Sequence, residues 1–192
     1  MLLKVLNGKS QMKKFYYIVI IVIFIVCVLL ILSRYKGARS KEVIDPNLYT
    51  IVPGQGIGSV KFGMNREEII KHFGEPDETN GEGISLLYKS KGFTLVVYPK
   101  SGLQVITCYT KVAAPPFSST NDFPGSMDKG IKMGASKAQI VAAYGPPDKE
   151  IIKEKHQTNL TYNKLGIEFI LLKDELVQFF IKSIRADVEN GI

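Results

Sequence analysis

IGSVKFGMNREEIIKHFGEPD at residues 57–77 and DKGIKMGASKAQIVAAYGPPD at residues 128–148 carry one pattern at a constant offset of 71. Val60 matches Ile131, Phe62 matches Met133, Gly63 matches Gly134, and Ile69 and Ile70 match Ile140 and Val141. Gly-x-Pro-Asp recurs at residues 74–77 and 145–148. Asn65 with Glu68, and Ser136 with Gln139, are N-cap and N3 pairs of the capping-box type, which satisfy amide donors that the first turn of a helix leaves free. Gly74 and Gly145 suit the residue just past a helix, and the prolines that follow forbid continuation. Each stretch therefore predicts a helix of about eight residues, too short to persist unless its apolar side chains dock on something.

Beyond the helices the offset becomes 74, pairing Leu86 and Tyr88 with Leu160 and Tyr162, and Gly92 and Phe93 with Gly166 and Ile167. Residues 83–88, 93–98 and 103–110, then 158–162, 167–172 and 176–183, are extended in character with turn-like joins. The expected fold is α+β: two tandem copies of a short helix followed by a three-stranded antiparallel meander, over residues 51–112 and 127–185. Residues 113–126 (AAPPFSSTNDFPGS) join the copies as a Pro/Ser-rich linker, and 186–192 form a tail.

Alternation places Phe93, Leu95 and Val97, with Ile167, Phe169 and Leu171, under the helices. The opposite face carries Val96 and Tyr98 in one copy and Ile170 and Leu172 in the other, so it is not polar. A solvated face alternates more cleanly, which predicts that this one is covered, by the other copy or by a partner. Val96, Tyr98, Ile170 and Leu172 are the candidate partner-binding residues.

Upstream, residues 15–32 (FYYIVIIVIFIVCVLLIL) contain no charge, and as a helix they rise about 27 Å against a hydrocarbon core of about 30 Å. A transmembrane helix over 15–33 is expected, between a basic segment at 1–14 and a basic juxtamembrane linker at 34–50. A cleaved signal peptide is the competing account; its apolar region is normally about 7–15 residues, and no small-x-small site follows closely. Of the 25 Lys and Arg in the 192-residue chain, Lys4, Lys9, Lys13, Lys14, Arg34, Lys36, Arg39 and Lys41 flank this segment, opposed by Glu42 and Asp45. The formal charge of +7 thus falls mostly on residues 1–45, leaving 17 basic against 16 acidic side chains downstream. A nucleic-acid partner needs a basic surface on the folded part, so none is expected. Membrane lipid is the expected partner of the anchor, and the C-terminal part is expected outside the cytoplasm on a single-pass cell-membrane protein.

The string Gly63-Met64-Asn65-x-x-Glu68-Ile69 ending in Phe73-Gly74-x-Pro76-Asp77, followed by Leu87-Tyr88, Leu95-Val96-Val97, and Gly102-Leu103 leading into Val105-Ile106, resembles the SmpA/OmlA (BamE) family of small envelope lipoproteins. It is similar also to the tandem-repeat β-lactamase inhibitor proteins, which build a concave sheet from two such copies. The likeness covers residues 51–183. Ala135 replaces the methionine in the second copy, and the lipoprotein cysteine is lacking. The resemblance implies protein binding outside the cytoplasm, and it carries no catalytic residues.

Chemistry-bearing residues read mainly as structural. Gly54, Gly56 and Gly58 precede no helix and no Gly-Lys-Ser/Thr, so a turn into the Val60 strand is favoured over a phosphate loop. His72 has Ala143 at its matched position, and His156 lies in a charge run. Asp77 and Asp148 follow Gly-x-Pro, where Asp bonds backbone amides in turns. Cys108 reads as a small core residue. No catalytic, metal-binding or cofactor-binding residue stands out. The expected function is a non-catalytic module that binds another envelope protein or supports envelope assembly; the alternative is a hydrolase or small-ligand domain using a groove between the copies.

Overall fold

A computed structural model describes Val26 and residues 46–113 and 119–184. The chain divides into two units, Met1–Ile44 and Asp45–Ile192. Of the first, only the helical residue Val26 is described. The expected transmembrane helix at 15–33 otherwise lies outside the described residues, as do the basic segment at 1–14 and the tail at 186–192. Among the described residues no helix is long and apolar enough to cross a membrane. The single-pass anchor, and the cell-membrane placement drawn from it, are therefore not supported by the described residues.

The second unit is mostly β, with two α-helices among its described residues, α1 (Arg66–Phe73) and α2 (Lys137–Tyr144). Asn65 Oδ1 accepts from the Glu68 amide at 3.0 Å while Glu68 Oε2 accepts from the Asn65 amide at 2.9 Å. Ser136 and Gln139 make the same reciprocal pair at the start of α2. Gly74 and Gly145 close the helices, each donating its amide to the carbonyl four residues back at 2.8 Å. Their φ values of 77° and 82° lie where glycine alone is at ease.

A small sheet in the order β3-β2-β1-β8 comprises β1 (Thr50–Val52), β2 (Gly56–Ile57), β3 (Val60–Lys61) and β8 (Ser126–Met127). The large sheet contains β4 (Glu78–Asn80), β5 (Ser85–Tyr88), β6 (Phe93–Tyr98), β7 (Gly102–Tyr109), β9 (Lys149–Lys153), β10 (Gln157–Tyr162), β11 (Ile167–Leu172) and β12 (Glu175–Lys182). Its order is β4-β5-β6-β7-β12-β11-β10-β9, antiparallel throughout.

Two helix-plus-meander copies therefore do not describe this fold. All eight long-sheet strands form one surface, joined at the centre by β7 and β12, where Cys108 pairs with Phe179 and Ile106 with Ile181. Pairing edge to edge, the halves do not cover one another's second face. Two strands of this large sheet have no counterpart in the expected meanders: β4 and β9 are exposed along their whole length, so no inward apolar alternation betrays them. They form because they satisfy the backbone edges of β5 and β10.

One core serves the whole unit. Phe123, inside the stretch read as a linker, is buried and packs its ring 6.2 Å from Phe93 and 6.0 Å from Phe179. Phe93 continues to Phe73 and Tyr88, and Phe179 to Phe169. Aromatic pairs at such centroid distances add to the area they bury. Ile69 and Ile140, both fully buried, fix α1 and α2 onto the same side of the sheet. Tyr49, from the stretch expected to be juxtamembrane, stacks on Phe73 at 6.0 Å.

Candidate binding face

Cross-strand partners in an antiparallel sheet share a face, so the ladders define what lies opposite the helices. One row runs Ile151, Asn159, Ile170, Gln178, Tyr109. The next runs Thr161, Glu168, Phe180, Thr107, Thr94, Leu87. A third joins Lys182, Val105, Val96 and Ser85. Val96, Val105, Phe180, Ile170 and Leu172 are half-buried, and Tyr98 is 45% exposed.

The four residues singled out from the sequence lie on this face as two pairs rather than one cluster. Val96 and Tyr98 are on β6, Ile170 and Leu172 on β11, with β7 and β12 between. Val96 meets β7 at Val105, whereas the row of Ile170 crosses it at Tyr109. That is about 13 Å along the strands and about 14 Å across them, or about 19 Å between the two positions. Tyr98 and Leu172 stand beside hairpin turns at opposite ends of the sheet, so they are farther apart.

On the same face, between the pairs and beyond them on β10, lies a set of polar side chains that the sequence did not single out. The hydroxyls of Tyr109 and Thr94 are 3.0 Å apart, both residues being buried. Gln157 Nε2 donates to Asn159 Oδ1, and Asn159 Nδ2 donates to Glu168 Oε1, each at 2.8 Å. Gln178 is 5% exposed, and among the described residues its Nε2 has no hydrogen-bond partner. An unsatisfied buried amide costs about 1–3 kcal/mol, so Gln178 departs from the rule that buried polar groups are paired. Burial pushes the Tyr109 phenol up, which keeps it protonated and hydrogen-bonding at neutral pH.

These residues escaped notice because their grouping depends on which strands are neighbours. Nothing within β7 or β12 shows that Tyr109 stands opposite Gln178. The available signal was Gln178 itself, a long amide between Val177 and Phe179 in an otherwise apolar run.

The remaining candidates take structural positions. Asp77 accepts from the Ser90 amide at 2.8 Å and Asp148 from the Asn163 amide at 2.7 Å, fixing the short turns before β6 and β11. Tyr88 donates to the Gly74 carbonyl and Tyr162 to the Gly145 carbonyl, each at 2.9 Å. Burial is the first cause raising both phenols, Tyr88 to about 12. Cys108 is fully buried, and burial pushes its thiol well up, so it is not a nucleophile at neutral pH. Gly56 has φ 144° and no room for a side chain, since a Cβ there would meet the Val60 carbonyl oxygen at 2.0 Å. Its loop is a tight hairpin. His72 is exposed on α1, and among the described residues no three His, Cys, Asp or Glu side chains group as metal ligands.

The groove expected between the halves is occupied by the β7–β12 ladder. A shallow hollow of about 490 Å³ lies elsewhere, lined by Ile152, His156, Thr158, Lys173 and Asp174.

No family model matches the chain. No curated protein matches it either. A solved structure of a DUF4309 family protein (YjgB) from Bacillus subtilis is similar over 67% of this chain and 87% of that one, at 12% identity and a TM-score of 0.46. That likeness is too weak to carry family or function, and it shows no relationship to the BamE or SmpA proteins.

Proposed function

We propose that the chain is a non-catalytic binding module that holds another protein against the second face of its large sheet. One observation carries this reading: the face presents half-buried apolar side chains at Val96, Ile170 and Leu172 and a 45% exposed Tyr98, and among the described residues the other half of the sheet does not cover them. A bound protein's apolar side chains would complete the burial of Ile170, Leu172 and Val96. The two pairs of apolar residues do not require two partners. An interface of ordinary size buries about 800 Å² on each side, a patch about 32 Å across, which spans both.

Ile170→Lys tests the reading. The variant is expected to melt with the parent, because its ammonium can extend from a half-buried position to water. It is expected to lose at least tenfold in affinity for a protein that the parent retains. Equal retention by parent and variant would overturn the assignment of the face.

A further inference from the structure

The edge strand β9 is the most exposed strand of the large sheet that carries apolar side chains. Ile151 is 37% and Ile152 75% exposed. Its sequence is KEIIK, and among the described residues it pairs with β10 alone. Alternate backbone amides and carbonyls of such a strand point away from the sheet, as a template for another strand. Lys149, Ile151 and Lys153 lie on the same face as Asn159 and Gln157, while Glu150 and Ile152 lie on the helix side. Lys137 Nζ is 2.5 Å from Glu150 Oε1, which neutralises that carboxylate. Neither Lys149 nor Lys153 has an ion pair among the described residues. The lysine Lys173 lines the hollow beside Ile152 and Thr158.

We infer that β9 accepts an extended, acidic segment of a partner protein as a ninth antiparallel strand. Charge selects this occupant over a second copy of the chain. A two-fold β9–β9 pair centred on Ile151 sets Lys149 opposite Lys153 twice, and one centred on Glu150 sets two Glu150 carboxylates together. Centring on Ile152 brings Glu150 against Glu154. Like charges directly opposite destabilise a strand pair. An acidic strand instead places carboxylates against Lys149 and Lys153 and an apolar residue against Ile151. Its residue opposite Ile152 sits at the rim of the hollow. This site is the edge of the sheet and does not depend on what binds the second face.

The test uses the full chain and two capped, fluorescently labelled peptides, Glu-Val-Val-Thr-Glu and Lys-Val-Val-Thr-Lys, with binding read by anisotropy. The parent is expected to bind the glutamate peptide at least about fourfold more tightly than the lysine peptide, since each of two cross-strand pairs contributes about 0.2–1 kcal/mol in either direction. The double variant Lys149→Glu, Lys153→Glu is expected to invert the preference, and its binding of the lysine peptide also shows that it is folded. Hydrogen exchange should report new protection at residues 149–153 in the parent with the glutamate peptide. The inference is overturned by an unchanged preference in the double variant, by protection confined to other strands, or by no binding of either peptide. A concentration-dependent dimer of the parent that protects residues 149–153 would overturn it as well.

Discussion

Tyr88→Phe deletes one hydroxyl, the group that donates to the Gly74 carbonyl at 2.9 Å just past α1. Removing such a hydrogen bond costs about 1 kcal/mol, so at neutral pH the variant is the less stable protein. Alkali reverses the order. Burial, then the Glu75 carboxylate, raise the Tyr88 phenol from 10.0 to about 12. A folded pKa above the unfolded one gives stabilisation that is fully present below pH ~10 and is lost as pH rises through ~12. Complete loss corresponds to about 2.7 kcal/mol, and by pH ~11 about half of it has gone. Phenylalanine has no proton to lose, while the other buried tyrosines titrate in both proteins and cancel. The parent's advantage of about 1 kcal/mol should therefore vanish between pH ~10.5 and ~11 and change sign by pH ~11.5. Urea unfolding followed by circular dichroism, at steps from pH ~8 to ~11.5, measures the difference directly. A difference that stays constant with pH would refute the burial and bonding assigned to this phenol.

Gly92 and Gly166 both take the left-handed conformation at the end of a short turn, yet a Cβ on Gly92 would stand 2.4 Å from the Phe123 amide nitrogen, against 2.9 Å from the Lys182 carbonyl oxygen for Gly166. Gly166→Ala is expected to cost about 1–2 kcal/mol of conformational strain. Gly92→Ala, which must also displace Phe123 from the core, should cost about 3–5 kcal/mol; similar chemical-denaturation losses for the two would contradict the packing described. Phe179→Ala empties a fully buried site that touches both Phe123 and Phe169. The expected loss is about 3–5 kcal/mol with a single unfolding transition in calorimetry, because one core serves both halves; two separated transitions would show that the halves unfold independently.

The local grammar of this fold is legible in its sequence, and the assembly is not. Asn65-x-x-Glu68 and Ser136-x-x-Gln139 specify helix starts within four residues, and the structure places both boxes there. Such signals are short-range, so a single stretch contains them whole. The strands β4 and β9 are different, because Glu78–Asn80 and Lys149–Lys153 pack no inward face and are held by backbone pairing that leaves no mark on residue choice. Phe123 misleads in another way: flanking Ser, Asn, Pro and Gly suggest a linker, while one aromatic ring ties that segment into the core. At the candidate face, Val96 and Ile170 are visible as apolar residues on the wrong side of an alternating strand. Their separation, and the polar side chains of Tyr109 and Gln178 between them, follow from β7 pairing with β12, which is a long-range choice.

Photo-crosslinking from the second face tests the central claim most directly. A photoreactive residue placed in turn at Val96, Tyr98, Ile170 and Leu172 probes that face, and the same residue at Glu67 on α1 and at the exposed Lys132 that precedes α2 serves as control. The account predicts one discrete adduct of common mass from the sheet positions, abolished by Ile170→Lys in the adducts formed from Val96, and none from the controls. Adducts from Glu67 or Lys132 alone, or of equal yield from every position, would contradict it.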